Sequence, residues 1–119
     1  MFIVAVVVSI LLAAGLSGSA GAKLTKDPRI IETLVRTVGV PEDRLWMLAA
    51  LELAGAAGLI IGLFWAPLGI AAAIGVILYF IGAVAGHLRV GDTAIPAIAP
   101  AAVMLVTAVI ALVLRSATA

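Results

Sequence analysis

Glu52 is the one ionisable residue set well inside a long apolar run, within Leu51-Glu52-Leu53-Ala54-Gly55. In helical spacing it falls about two turns past Arg44, roughly 10 Å below a charged boundary. A carboxylate at that depth in a bilayer costs several kcal/mol unless it is paired, protonated or turned to a water-filled cavity. Two uses answer that cost: a proton- or ligand-handling group, or a structural carboxyl bonded to a neighbouring helix. Three further polar residues flank the apolar runs on the same side. His87, the single histidine, and Arg89 follow one run, and Lys23 follows another. Glu52, His87, Arg89 and Lys23 are therefore the candidate polar site, with Tyr79 about two turns deeper than His87. The plainer alternatives are an interfacial histidine at a helix end and a solvated pair of Arg89 and Asp92.

Much chemistry is excluded. The chain has no cysteine, which removes disulfide exchange, thiolate catalysis and cysteine-based metal or iron–sulfur ligation. One histidine cannot ligate a haem from both sides within a protomer. No catalytic motif is present, so an enzyme is not expected, and neither a metal nor a cofactor is predicted. A quinone at the polar site is the one ligand kept open, because histidine titrates near neutral pH and suits proton exchange with it. A formal charge of +1 gives no case for a nucleic-acid partner.

The frame that must position these residues is very apolar. Hydrophobic residues make up 66% of the 119, and charged ones 11%, against about 25% in an ordinary soluble domain. So short a chain has too little interior to hide that much apolar side chain from water. Lipid is the solvent that resolves the mismatch. Four runs, 2–22, 45–65, 67–86 and 94–114, are long enough to cross a hydrocarbon core of ~30 Å, which takes about 20 helical residues. They lack the alternation of barrel strands, so helices are expected. The expected fold is a single all-α domain over 1–119: a four-transmembrane-helix bundle with a short amphipathic helix in the 23–44 connection.

That connection carries its own signals. Asp27 is placed to cap a helix that has Pro28 at its first position. Ile30, Ile31, Leu34, Val35 and Val38 then share one stripe. Glu32 and Arg36 form an i,i+4 pair, and Gly39 is placed to end the helix. Such a helix lies on the membrane surface. Pro41, Glu42 and Asp43 start the second span, with the acids at the positive end of its dipole. Trp65-Ala66-Pro67 reads as a tight turn, and 87–93 as a short link.

Lys23, Lys26, Arg29, Arg36, Arg44 and Arg89 gather on one face, and only Arg115 lies on the other. The positive-inside rule then places 23–44 and 87–93 in the cytoplasm and both termini outside, in a multi-pass plasma-membrane protein. Ala20-Gly21-Ala22 resembles a signal-peptidase site. No Lys or Arg precedes the run, so it is expected to stay as the first helix.

Small residues point to packing. Ala54, Gly58 and Gly62 form a small-xxx-small ladder, while Gly75, Gly82 and Gly86 share one broad face of the third span and include a GxxxG match. Contacts within the bundle are the simpler use, and a homodimer the other. Pro96 is harmless near a helix start, whereas Pro100 is expected to kink the fourth span.

Lys23 after the first span, Gly39-Val40-Pro41 before the second, Leu51-Glu52-Leu53-Ala54-Gly55 within it, and Gly82-Ala83 followed by His87-Leu88-Arg89-Val90-Gly91-Asp92 resemble, in order and spacing, the DoxX-like family. The resemblance covers nearly the whole chain. It implies a four-helix membrane bundle and draws attention to Lys23, Glu52, His87 and Arg89. Relatives in that family include a small subunit of a thiosulfate:quinone oxidoreductase and components of oxidative-stress membrane complexes. More distant ones resemble assembly chaperones or cargo receptors. The shared theme is an accessory role beside a larger partner.

Three functions follow as expectations. First is an accessory or scaffold subunit of a larger membrane complex, one associated with redox enzymes but holding no redox centre itself. Second is a quinone- or lipid-binding subunit using Glu52 and His87. Third is a small proton-coupled transporter, although small multidrug transporters keep their glutamate in the first helix and have more aromatic residues. The bilayer and either a larger complex or a second copy are the expected partners.

Overall fold

The computed structural model describes residues 2–91 and 95–118. Asp92 lies outside the described residues, as do the side chains of Leu34, Val38, Pro96 and Arg29. The helices are α1 (Phe2–Leu24), α2 (Pro28–Ile30), α3 (Leu45–Ile61), α4 (Ala66–Arg89) and α5 (Ile95–Ala117). The four long ones are apolar enough to cross a membrane. The molecule is 41 Å along its longest axis, enough for a hydrocarbon core of ~30 Å and its interfaces.

α1 packs on α3 and α5, and α4 packs on the same two helices. The bundle is thus a ring in the order α1, α3, α4, α5, with α1 and α4 diagonal. Its interior is built of Leu12, Leu16, Ala56, Leu59, Ala73, Val76, Phe80, Ala108 and Ala111. Many larger apolar side chains point out instead, including Leu78, Trp46, Leu51 and Val103. Water would penalise that distribution. In lipid it costs nothing, and alanine inside lets the backbones approach.

The helix ends differ from the sequence expectation by a few residues. α4 continues to Arg89 rather than Gly86, and α1 and α5 also run on slightly. α3 stops at Ile61, short of Trp65, because the chain reverses through a glycine pair. A Cβ on Gly62 would overlap the Cα of Gly69, so this close approach needs glycine at position 62. Trp65 is extended, and Pro67 sits in the first turn of α4.

The 23–44 connection is helical as expected, but its winding is looser. After α2 it continues as a π-helix over Ile31–Val38. Pro28 begins α2, and the Asp27 carbonyl accepts the N–H groups of Ile30 and Ile31 at 2.9 and 3.0 Å. Arg36 pairs with Glu32 at 3.0 Å in the open. Ile30, Ile31 and Val35 are half-buried. Gly39, at φ +92°, turns the chain out of the helix, a conformation that suits glycine. A 3₁₀ turn over Glu42–Arg44 then leads into α3.

Candidate functional site

α1 ends with Lys23 in its last turn, and α3 runs antiparallel beside it. The Lys23 side chain therefore reaches inward along α3 to Glu52, and Nζ lies 2.6 Å from Oε1. Lys23 Nζ also donates to Ser19 Oγ one turn back, at 2.7 Å. From α4 the Tyr79 hydroxyl donates to the same Oε1 at 3.2 Å. The Tyr79 ring is held edge-on against Phe80, with centroids 4.9 Å apart. One carboxylate oxygen thus joins three helices. Glu52 is among the most deeply buried side chains, and its Oε2 has no hydrogen-bond partner among the described residues.

Burial decides what this arrangement does. A lone carboxylate here would carry a large desolvation cost, which an ammonium at hydrogen-bond distance offsets. The pair and its tyrosine fix α1, α3 and α4 relative to one another. Glu52 itself is closed to the surroundings.

Of the four residues expected to cluster, Lys23 and Glu52 are in direct contact. His87 is buried in the last turn of α4. Arg89, two residues further on, is exposed and lines a surface groove with Arg44. It points out because buried positions on α4 recur at Ala73, Val76, Phe80 and His87, and Arg89 falls off that stripe. Ser19 was not visible as a participant, although its i,i+4 spacing from Lys23 was a usable signal.

A second buried cation sits at the opposite end. Arg115 donates from Nε to the Gly62 carbonyl at 3.1 Å, and its guanidinium carbon lies 5.5 Å from the centre of the Phe2 ring. It satisfies a carbonyl left over where α3 ends. Thr118 Oγ1 takes another bond from Nη1 at 3.2 Å. In the sequence Arg115 counted only toward charge asymmetry.

The small residues also divide. Gly58 and Gly62 lie in the α3–α4 interface, where a Cβ on Gly58 would come 2.8 Å from the Ala72 Cβ. Gly55 and Gly69, not singled out in the sequence, belong to the same seam. Ala54, Gly75 and Gly82 are exposed, and a Cβ on either glycine would meet nothing within 4 Å. The expectation that Gly75 and Gly82 pack inside the bundle is corrected. α4 presents Gly69, Ala72 and Val76 to α3, which turns Gly75 and Gly82 away. Gly86 is half-buried. α1, diagonal to α4, exposes a comparable strip at Ala14, Ser17, Gly18 and Gly21.

A family model, the DoxX-like family, matches residues 7–111 of the chain. No curated protein and no solved structure matches it.

Proposed function

The chain belongs to the DoxX-like family, and we propose that within it this protein is an accessory or scaffold subunit that docks on a larger membrane complex. The observation that carries the proposal is the outward face of α4. Gly75 and Gly82 leave open space beside the backbone, flanked by exposed Ala71 and Ala85. Helices in lipid associate by close backbone approach, and small residues are what permits it. Inside the bundle that need is met by other glycines, so this face is spare. Family resemblance makes a redox enzyme complex the partner class to try first.

The test is co-purification from native membranes in mild detergent after crosslinking. The unaltered chain should recover a defined larger complex, and the variant Gly75→Ile/Gly82→Ile should lose it while remaining folded. Recovery of free protein alone, or of a second copy alone, would contradict the accessory role.

The end bearing Lys23, Lys26, Arg36, Arg44 and Arg89 is assigned to the cytoplasm on the positive-inside rule. A cysteine placed at Thr25 should then react with an impermeant thiol reagent only when the inner face is open.

A quinone or lipid headgroup at Glu52 and His87 ranks second. Its support is the buried Glu52 Oε2 without a hydrogen-bond partner among the described residues, which the hydroxyl of a quinol (the reduced quinone) or of a lipid headgroup would satisfy. The closed surroundings of Glu52 weigh against it, and against a carboxyl that takes up protons in transport. Quinone binding lost in Glu52→Gln would reverse the ranking.

A further inference from the structure

Two left-handed residues bracket the amphipathic part of the connection. Lys26 stands at φ +53° just past α1, and Gly39 at φ +92° just past the π-helix. At Lys26 the Asp27 N–H donates back to the Ala22 carbonyl at 3.0 Å, and the Lys26 N–H to the Lys23 carbonyl at 3.2 Å. That pattern stops a helix and turns the chain aside. Glycine is usual at such a position, since a side chain is strained there. Lysine adds reach instead: its ammonium faces the Glu42 carboxylate at 3.7 Å, so the two ends of the connection stand side by side.

Residues 28–38 lie across the end of the bundle. α4 has 24 residues and is about 36 Å long, while the whole molecule measures 41 Å along its longest axis. A helix of this segment's length standing on the bundle would add roughly 16 Å. One lying along a span would pack on it, yet α2 and the π-helix pack on each other and not broadly on any long helix, among the described residues. The segment runs instead at the level where the spans leave the membrane. Its two sides differ: Ile30, Ile31 and Val35 are half-buried, whereas Glu32 and Arg36 are open and pair with each other at 3.0 Å. Across 27–39 the ionisable residues are Asp27, Arg29, Glu32 and Arg36, whose formal charges cancel.

We propose that the 28–38 helix docks on the bilayer surface, with Ile31 and Val35 set among loosely packed lipids, and that apolar insertion rather than attraction to anionic headgroups holds it there. Continuity makes lipid the occupant. Leu24 before the segment and Trp46 after it are exposed, so the uncovered part of Ile31 and Val35 continues a surface that the spans turn to lipid. Interfacial helices draw on buried apolar area and on attraction between basic side chains and anionic lipid. A face whose charges cancel leaves the first of these, and insertion needs gaps between headgroups. Lipid packing is thus what the helix responds to. The surface shares no residue with the outward face of α4, so it stands or falls independently of the accessory role proposed above.

The test places the full chain, as Val35→Cys carrying an environment-sensitive fluorophore, in three kinds of vesicle with a lipid-borne quencher near the headgroups. They are dioleoyl phosphatidylcholine, the same lipid tightened with cholesterol, and the same lipid half replaced by dioleoyl phosphatidylglycerol. Quenching should be strong in the first, several-fold weaker in the second and unchanged in the third. A fluorophore at Glu32→Cys, on the open side, gives the water-exposed baseline. Ile31→Gln should lower the ratio of seated to unseated helix by roughly tenfold and leave the melting temperature of the bundle unchanged. Glu32→Lys, which makes the polar face basic, should create a dependence on phosphatidylglycerol that the unaltered chain lacks. The proposal fails if the Val35 label is quenched no more than the Glu32 one, or if cholesterol leaves it unmoved. It fails equally if phosphatidylglycerol seats the unaltered helix more firmly, which would make charge the attraction. Shielding in native membranes but not in vesicles would also overturn it, since a protein would then be the occupant.

Discussion

Lys23 at the foot of α1 and Glu52 within α3 meet at 2.6 Å across 29 residues of sequence, with side chains only 7% and 0% exposed. The contact ties the start of the 23–44 connection to the bundle interior. Removing either partner strands the other charge, which for buried pairs costs about 3–5 kcal/mol. Lys23→Met and Glu52→Leu should each lower stability by that order in mixed-micelle unfolding. The double variant should recover most of the loss, because no charge is left stranded. Additive losses would show that the two do not act as a pair.

Tyr79 should matter less. Its hydroxyl bond to Glu52 is a neutral donor to a charged acceptor, at 3.2 Å. Tyr79→Phe should cost about 1.5 kcal/mol. Added to Lys23→Met, it should cost more than on its own, since the carboxylate then loses its last described donor. The same unfolding assay in a double-mutant cycle measures the coupling.

The fold was readable because lipid makes the sequence signal coarse. Four apolar runs, a proline near Ala66 and an amphipathic stripe at Ile30–Val35 were enough to place every long helix. Glu52 stood out for the same reason, being polar where polarity is costly. Which way a residue faces was harder. On a helix apolar all round, inward and outward glycines look alike, so Gly75 and Gly82 could not be told from Gly58 and Gly62 by type. Facing depends on which ridge α4 gives to α3, a tertiary property. Arg115 was obscured by a counting argument, since the same cation that marks a membrane face also serves a stray carbonyl. The Arg44–Arg89 groove needs residues 45 apart in sequence, and no local pattern joins them.

The two classes of glycine should separate cleanly on substitution. Gly62→Ala must push against the Gly69 backbone, which cannot yield as a flexible side chain would. It should destabilise the bundle by about 1–3 kcal/mol. Gly75→Ala and Gly82→Ala meet open space and remove a helix-weakening glycine, so stability should be unchanged or higher by up to ~1 kcal/mol. Melting temperatures of the three variants in one detergent decide the matter.

Arg115 should prove structural. Arg115→Leu leaves the Gly62 carbonyl without its donor and the Phe2 ring without its cation. A loss of about 1–3 kcal/mol is expected, the range for a buried group left unsatisfied. Arg115→Lys should recover only part of it, because one ammonium cannot match the fork that serves both Gly62 and Thr118. Hydrogen exchange near the end of α3 should rise in the leucine variant and only partly in the lysine one.

The docking claim for α4 is tested most directly by single-cysteine crosslinking in native membranes, since the chain has no cysteine of its own. Cysteines at Gly75 and Gly82 carry a short photoactivatable crosslinker, and one at Val103, exposed on α5, serves as the control face. The account predicts a discrete adduct with another membrane protein from positions 75 and 82, absent from 103. Adducts only with lipid or with a second copy, or equal yields from all three positions, would contradict it.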